Sequence, residues 1–161
     1  MDKHYYFIAQ LPTLIFGQAP QIDRQYFLSE AEKWLSNKDF IFISQIHISD
    51  CEPSLRDNIY LRKYKEFELD LRQALVSFRK KIQDYRLRGQ LNEALSGSSP
   101  LEIEKKLLKL RWDFVDNLQT DNNFNLGYLT YYFLKLQILE KFFVFNKEKG
   151  RENFNSLCEV K

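Results

Sequence analysis

One spacing constrains this chain more than anything else in it. Tyr60, Tyr64, Phe67, Leu71, Leu75, Phe78, Ile82 and Tyr85 follow one another at steps of three or four residues. The mean step is about 3.6 residues, the period at which side chains return to one face of an α-helix. Charged residues fill the positions between. The stripe predicts a long amphipathic helix that starts near Pro53 and Ser54 and continues towards Leu95, with Gly89 as a weak point. A chain with one such helix has to cover its apolar face, and other helices are the cheapest cover.

The rest of the sequence agrees. With 5 Gly and 4 Pro in 161 residues, the many turns of an all-β protein have little to be made from. The strongest interruption is Ser96-Gly97-Ser98-Ser99-Pro100. Beyond it Ser99 reads as an N-cap, with Pro100 at the first helical position and Glu102 completing a capping box. Ile103, Leu107, Leu110, Phe114 and Leu118 then give the apolar stripe of the helix. Thr120 to Asn125 is a polar turn. A further helix from Phe124 carries Leu126, Leu129, Phe133, Leu136, Leu139 and Phe143. Gly150 marks a short turn before a last amphipathic piece, Glu152 to Val160.

The N-terminal third is less decided. Residues 3–11 read as strand or helix. Pro12, Gly17 and Pro20 form a loop, and Asp23 caps a helix that runs to about Ser36. Asp39 to Ile48 is dense in β-branched residues and reads as strand by propensity, while Asp39 is equally a helix cap. The absence of a partner strand favours helix. The expected fold is an all-α bundle of about six helices in a single domain, 1–161, with a breaker at 96–100 between two helical halves.

Little in the sequence points to chemistry. Gly97 has no second glycine and no Gly-Lys-Ser/Thr around it, so no phosphate loop is expected. His4 and His47 have no Cys or His at ligand spacing, which leaves no metal site and no cofactor to predict. Cys51 follows His47 by four residues, one helical turn, a spacing that would let an imidazole activate a thiolate; packing residues in an Ile-rich stretch are the plainer reading. Cys51 and Cys158 lack paired spacing and fit a reducing cytosol. Glu66 and Glu68 about Phe67, and Asp113 and Asp116 about Trp112, read as solvated faces. Tyr5 to Phe16 is apolar, but Asp2, Gln10 and Pro12 argue against a signal peptide. No run approaches a membrane span.

Two features remain. Arg79, Lys80, Lys81, Arg86 and Arg88 form a basic cluster opposed only by Asp84, within a chain of net charge +2. It reads as the solvated face of a long helix, as a contact for a phosphate backbone, or as a docking patch for an acidic partner. Tyr128, Tyr131, Tyr132, Phe133, Phe142, Phe143 and Phe145 crowd one helix. Central burial and partner docking explain that crowding equally well.

Several blocks resemble a known family. They are Tyr5-Tyr6-Phe7-Ile8-Ala9-Gln10-Leu11-Pro12 with Phe16-Gly17 and Pro20, then Pro100-Leu101-Glu102 and Arg111-Trp112-Asp113-Phe114-Val115-Asp116. Leu134-Lys135-Leu136-Gln137-Ile138-Leu139-Glu140-Lys141 and Phe145 with Lys147-Glu148-Lys149-Gly150-Arg151-Glu152 complete the set. In this order they resemble a small protein family of unassigned function from bacterial V-type ATPase operons. That family is similar to a shortened form of the central-stalk subunit called C or d in V-type ATPases. The resemblance implies an all-helical, non-catalytic subunit that couples the central rotor shaft to the membrane rotor ring during ion transport. It implies no catalytic residues and no cofactor. Its partners would be central-stalk subunits and the ring, and its place the cytoplasmic side of the inner membrane, held peripherally through protein contacts. The full subunit has about three helical bundles, and this chain has length for roughly one or one and a half. The alternative is a small helical adaptor or nucleic-acid-binding protein that uses the basic segment 79–88.

Overall fold

A computed structural model describes residues 3–54, 57–82, 85–96 and 99–144, together with Asn155. The described residues contain seven helices and no strand: α1 (Lys3–Gln10), α2 (Arg24–Trp34), α3 (Asn37–Ser44), α4 (Ile59–Arg79), α5 (Arg88–Leu95), α6 (Pro100–Thr120) and α7 (Leu126–Val144). The all-α expectation holds. The turn at Gly150, the final piece 152–160 apart from Asn155, Phe145 and Cys158 lie outside the described residues.

α7 is the axis of the bundle. It touches α1, α2, α3, α4 and α6. From Leu129 to Leu139 every residue is buried, so the helix is covered on all sides. Its crowded aromatics are therefore mostly core, while Phe143 and Val144 emerge at the C-terminal end. Phe27 of α2 stacks on Tyr132 at 5.6 Å and on Phe133 at 5.1 Å. Burying one such ring contributes about 2–3 kcal/mol. The Tyr132 hydroxyl donates to the Pro12 carbonyl at 2.8 Å, which ties the N-terminal loop to the axis. At the start of α7 the Asn125 side chain caps Tyr128 N at 3.0 Å. Gly127 is required there, because a Cβ would lie 2.7 Å from Cδ1 of the Tyr60 ring.

A second, smaller cluster joins Phe67, Leu71 and Ala74 of α4, Leu91 and Ala94 of α5, and Leu107 of α6. α6 separates the two cores. The predicted stripe of Ile103, Leu107, Leu110 and Phe114 faces the smaller one. A second stripe, Leu108, Trp112 and Val115, belongs to the α7 core.

Local signals explain most boundaries. Asp23 accepts from Tyr26 N at 2.7 Å and Ser99 from Glu102 N at 3.2 Å, as side-chain caps. Residues 3–10 are helix. The stretch 39–48 is helical only to Ser44, and its cap is Ser36 rather than Asp39: Ser36 Oγ accepts from Asp39 N and donates to the Asp39 carboxylate. That role for Ser36 stops α2 at Trp34. The strand-like remainder finds a side chain instead of a sheet. Ile48 N donates to Gln137 Oε1 and Gln137 Nε2 donates to the Ile46 carbonyl, each at 3.0 Å.

The long middle helix is shorter than its periodicity predicts. It begins after Asn58, not at Pro53, because Ser54 N is held by the Asp57 carboxylate at 2.7 Å in a turn of its own. It ends at Arg79. Lys81 adopts φ 58°, Ile82 N reaches Ser77 O and Lys81 N reaches Phe78 O, each at 3.0 Å. This is a Schellman stop with lysine in the left-handed position that glycine normally takes. α5 is separate, and Gly89 lies inside it.

Candidate functional site

The best-organised polar cluster sits where α6 crosses α4. Glu68 is 2% exposed, on the buried face of α4. Arg111 grips it in a fork, Nε to Oε2 at 2.8 Å and Nη2 to Oε1 at 3.0 Å. Arg72 adds a third bond at 3.1 Å and with its other arm donates to the Ser49 carbonyl at 2.6 Å. Burial alone would lower the Arg111 guanidinium; the hydrogen bonds and charge of Glu68 outweigh it and leave it raised. Tyr64, one turn before Glu68, donates to the Ile48 carbonyl at 2.9 Å, and burial with the Glu68 charge drives its hydroxyl well above the usual tyrosine range. Phe67 and Phe114 stack beside the pair with centroids 3.9 Å apart.

One turn along α6 the same design recurs towards α7. Lys135 is buried, yet its ammonium reaches the Asp116 carboxylate and donates to Gln119 Oε1 at 2.7 Å. It also lies 4.7 Å from the centroid of the Trp112 ring. Glu68 is thus not on a solvated face; Glu66, Asp113 and Asp116 do face water, and Asp116 meets the Lys135 ammonium from that exposed position. The block 111–116 is a two-sided joint: Arg111 and Phe114 hold α4, while Trp112 and Asp116 hold α7. Among the described residues no buried side-chain polar atom lacks a partner. The chemistry of such a joint is rigidity, since its buried charges Glu68, Arg111 and Lys135 are each paired within the chain.

Between α4, α5 and α6 runs an open groove of about 790 Å³. Phe67, Leu110, Phe114 and Leu118 give it an apolar lining. Its charges are balanced and largely committed: Arg86 to Asp70 at 2.6 Å, Lys109 to Asp113 at 2.5 Å.

The basic segment lies on the connection from α4 to α5, not along a helix face. Arg79 ends α4, Lys80 caps it, Lys81 makes the turn and Arg88 opens α5. Arg79, Lys81 and Arg88 come together around a pocket of about 400 Å³ with Phe78, Ile82 and Tyr85. Arg86 turns away to Asp70. His47 and Cys51 lie in a non-helical bend, so the one-turn geometry that would pair them is not formed; His47 Nδ1 accepts instead from Ser49 N at 3.2 Å. Among the described residues no group of His, Cys, Asp or Glu is placed to hold a metal ion, and no helix is long and apolar enough to cross a membrane.

The ion pairs of Glu68 and Lys135 were not singled out by the sequence. Glu68 does carry a signal: it lies one residue from Phe67 and four from Tyr64, within the apolar stripe.

Residues 84–160 match a family described as a protein of unknown function, DUF2764. The match takes in α5, α6 and α7 and accords with the expectation of a family without assigned function. No curated protein and no solved structure matches the chain.

Proposed function

We propose that this chain is a non-catalytic subunit of a V-type ATPase that joins the central rotor shaft to the membrane rotor ring, on the cytoplasmic side of the inner membrane. The ordered blocks of the sequence carry the reading, and what supports it in the structure is where those blocks sit. Residues 5–10 lie in α1, which packs against α7, residues 111–116 make the joint between the two cores, and residues 134–141 lie on the axis. They are framework rather than active-site residues. A coupling part transmits force through packed helices, and fully paired buried charges resist relative movement of those helices.

A tagged copy purified from native membranes should bring down stalk and catalytic-head subunits. Recovery of neither would refute the proposal. The alternative, an adaptor or nucleic-acid-binding protein using 79–88, draws support from the convergence of Arg79, Lys81 and Arg88. It requires nucleic-acid binding that weakens steeply with salt, which filter binding at two salt concentrations measures.

A further inference from the structure

The α4–α5 connection is an overhang. Ala74 is the last buried residue of α4 and Leu91 the next buried residue; none of the described residues between them is buried. Surface of this kind is normally polar. Here Val76 is 48% exposed, Phe78 41% and Ile82 48%. Around them stand Arg79, Lys80 and Lys81, all exposed, with Arg88 across the shallow pocket. No carboxylate is among the described residues lining that pocket. The one carboxylate of the 79–88 sequence, Asp84, lies outside the described residues.

We propose that this tip binds the surface of an anionic lipid bilayer, with the three apolar side chains entering the interface and the cations on the headgroup phosphates. Two observations select a bilayer over a protein partner. Val76 and Phe78 are two positions apart, hence on nearly opposite sides of α4, and Ile82 lies beyond the turn. Phe78 and Ile82 share the pocket and Val76 lies on the other side, so the apolar exposure occupies two sides of the tip instead of one face. A folded partner covers a face, whereas a fluid interface surrounds whatever is inserted into it. The three consecutive cations Arg79, Lys80 and Lys81 lie between Phe78 and Ile82, so their aliphatic stems lie along the inserted surface while their heads reach the phosphates. The large groove beside the tip lacks this bias, because its own carboxylates balance its cations. The inference does not depend on the coupling role and needs no other subunit.

Co-sedimentation of the purified chain with vesicles tests it. Binding is expected to vesicles of phosphatidylcholine and phosphatidylglycerol in equal parts, and to be weak for phosphatidylcholine alone. Lys80→Gln with Lys81→Gln should weaken it roughly 30-fold at low salt. Phe78→Ser with Ile82→Ser should weaken it roughly tenfold. Both pairs lie outside the two cores, so thermal melts should stay unchanged. Ile59→Ser, at a site 62% exposed elsewhere on α4, should leave binding as it is. Equal sedimentation with both vesicle types, none with either, or no loss in the Phe78/Ile82 variant overturns the proposal. So does binding of an acidic peptide or nucleic acid by a chain that ignores vesicles.

Discussion

Replacing Arg111 by methionine tests the idea that the α4–α6 joint is held by a buried charge pair. Glu68 is 2% and Arg111 12% exposed at the side chain. The substitution keeps the stem volume and removes the two shortest of the three bonds to the carboxylate. Breaking a buried pair from one side costs about 3–5 kcal/mol, because the remaining charge is left in a poor solvent. Arg72 keeps its bond at 3.1 Å and is 45% exposed, so it brings water as well as charge. The lower end, about 3 kcal/mol, is therefore expected. For a domain of this size each kcal/mol shifts the melting temperature by about 2–4 °C, so the drop should be about 6–12 °C. Urea unfolding followed by circular dichroism gives the free energy directly, with an unchanged denaturant slope as the check that the same surface unfolds. The double variant Glu68→Leu with Arg111→Met removes both charges and should recover at least about half of the loss. A loss below about 1 kcal/mol in Arg111→Met refutes the reasoning, as does a double variant no more stable than the single one.

Gln137→Leu leaves Ile48 N and the Ile46 carbonyl without their partner; at about 1–3 kcal/mol for each orphaned group, a loss of at least about 2 kcal/mol is expected in urea unfolding. Gly127→Ala puts a methyl against the Tyr60 ring and Asn122 Oδ1, costing about 1–3 kcal/mol by overpacking, and Tyr60→Leu in the same chain should relieve part of it in a thermal melt. Burial pushes the Tyr131 hydroxyl up from 10.0 to about 12, and Tyr64 and Tyr132 shift the same way. A raised folded pKa contributes stability that is complete below pH 10 and lost as pH rises towards the folded value, since the unfolded chain ionises first. Stability should therefore be level near neutrality and fall between about pH 10 and 12. Tyrosinate absorbance should rise together with unfolding, and ionisation of these three residues well before unfolding would contradict their burial.

Local signals made much of this fold readable. Asp23, Ser99 and the Pro100 start act within one turn, where a side chain meets its own backbone and tertiary context has little to add. The periodicity of α4 and α6 is likewise a property of consecutive residues. The misreadings share a cause. Lys81 holds a backbone conformation that favours glycine by about 1–2 kcal/mol, so nothing in its identity announces the end of α4. Residues 45–48 look like a strand and are satisfied by Gln137, a residue far along the chain. The second apolar face of α6 is visible in Leu108, Trp112 and Val115, but one helix does not say that two cores need it.

The candidate site divides the same way. The basic residues of 79–88 are plain in the sequence, yet their reading as a helix face depends on a helix that the Lys81 turn interrupts. That turn sends Arg86 to Asp70 and gathers Arg79, Lys81 and Arg88 at an exposed tip. Glu68 and Lys135 look like ordinary surface charges until their partners are known.

By itself, the sequence determined the helical class, the caps at Asp23 and Ser99 and the concentration of positive charge at one place. Those follow from interactions between residues a few positions apart. Which helix became the axis, which charges were buried, and which apolar residues were left in water were decided only by the tertiary structure. Each of those depends on groups brought together from distant parts of the chain, and burial changes the energy of a charge or a methyl group by more than any local preference does.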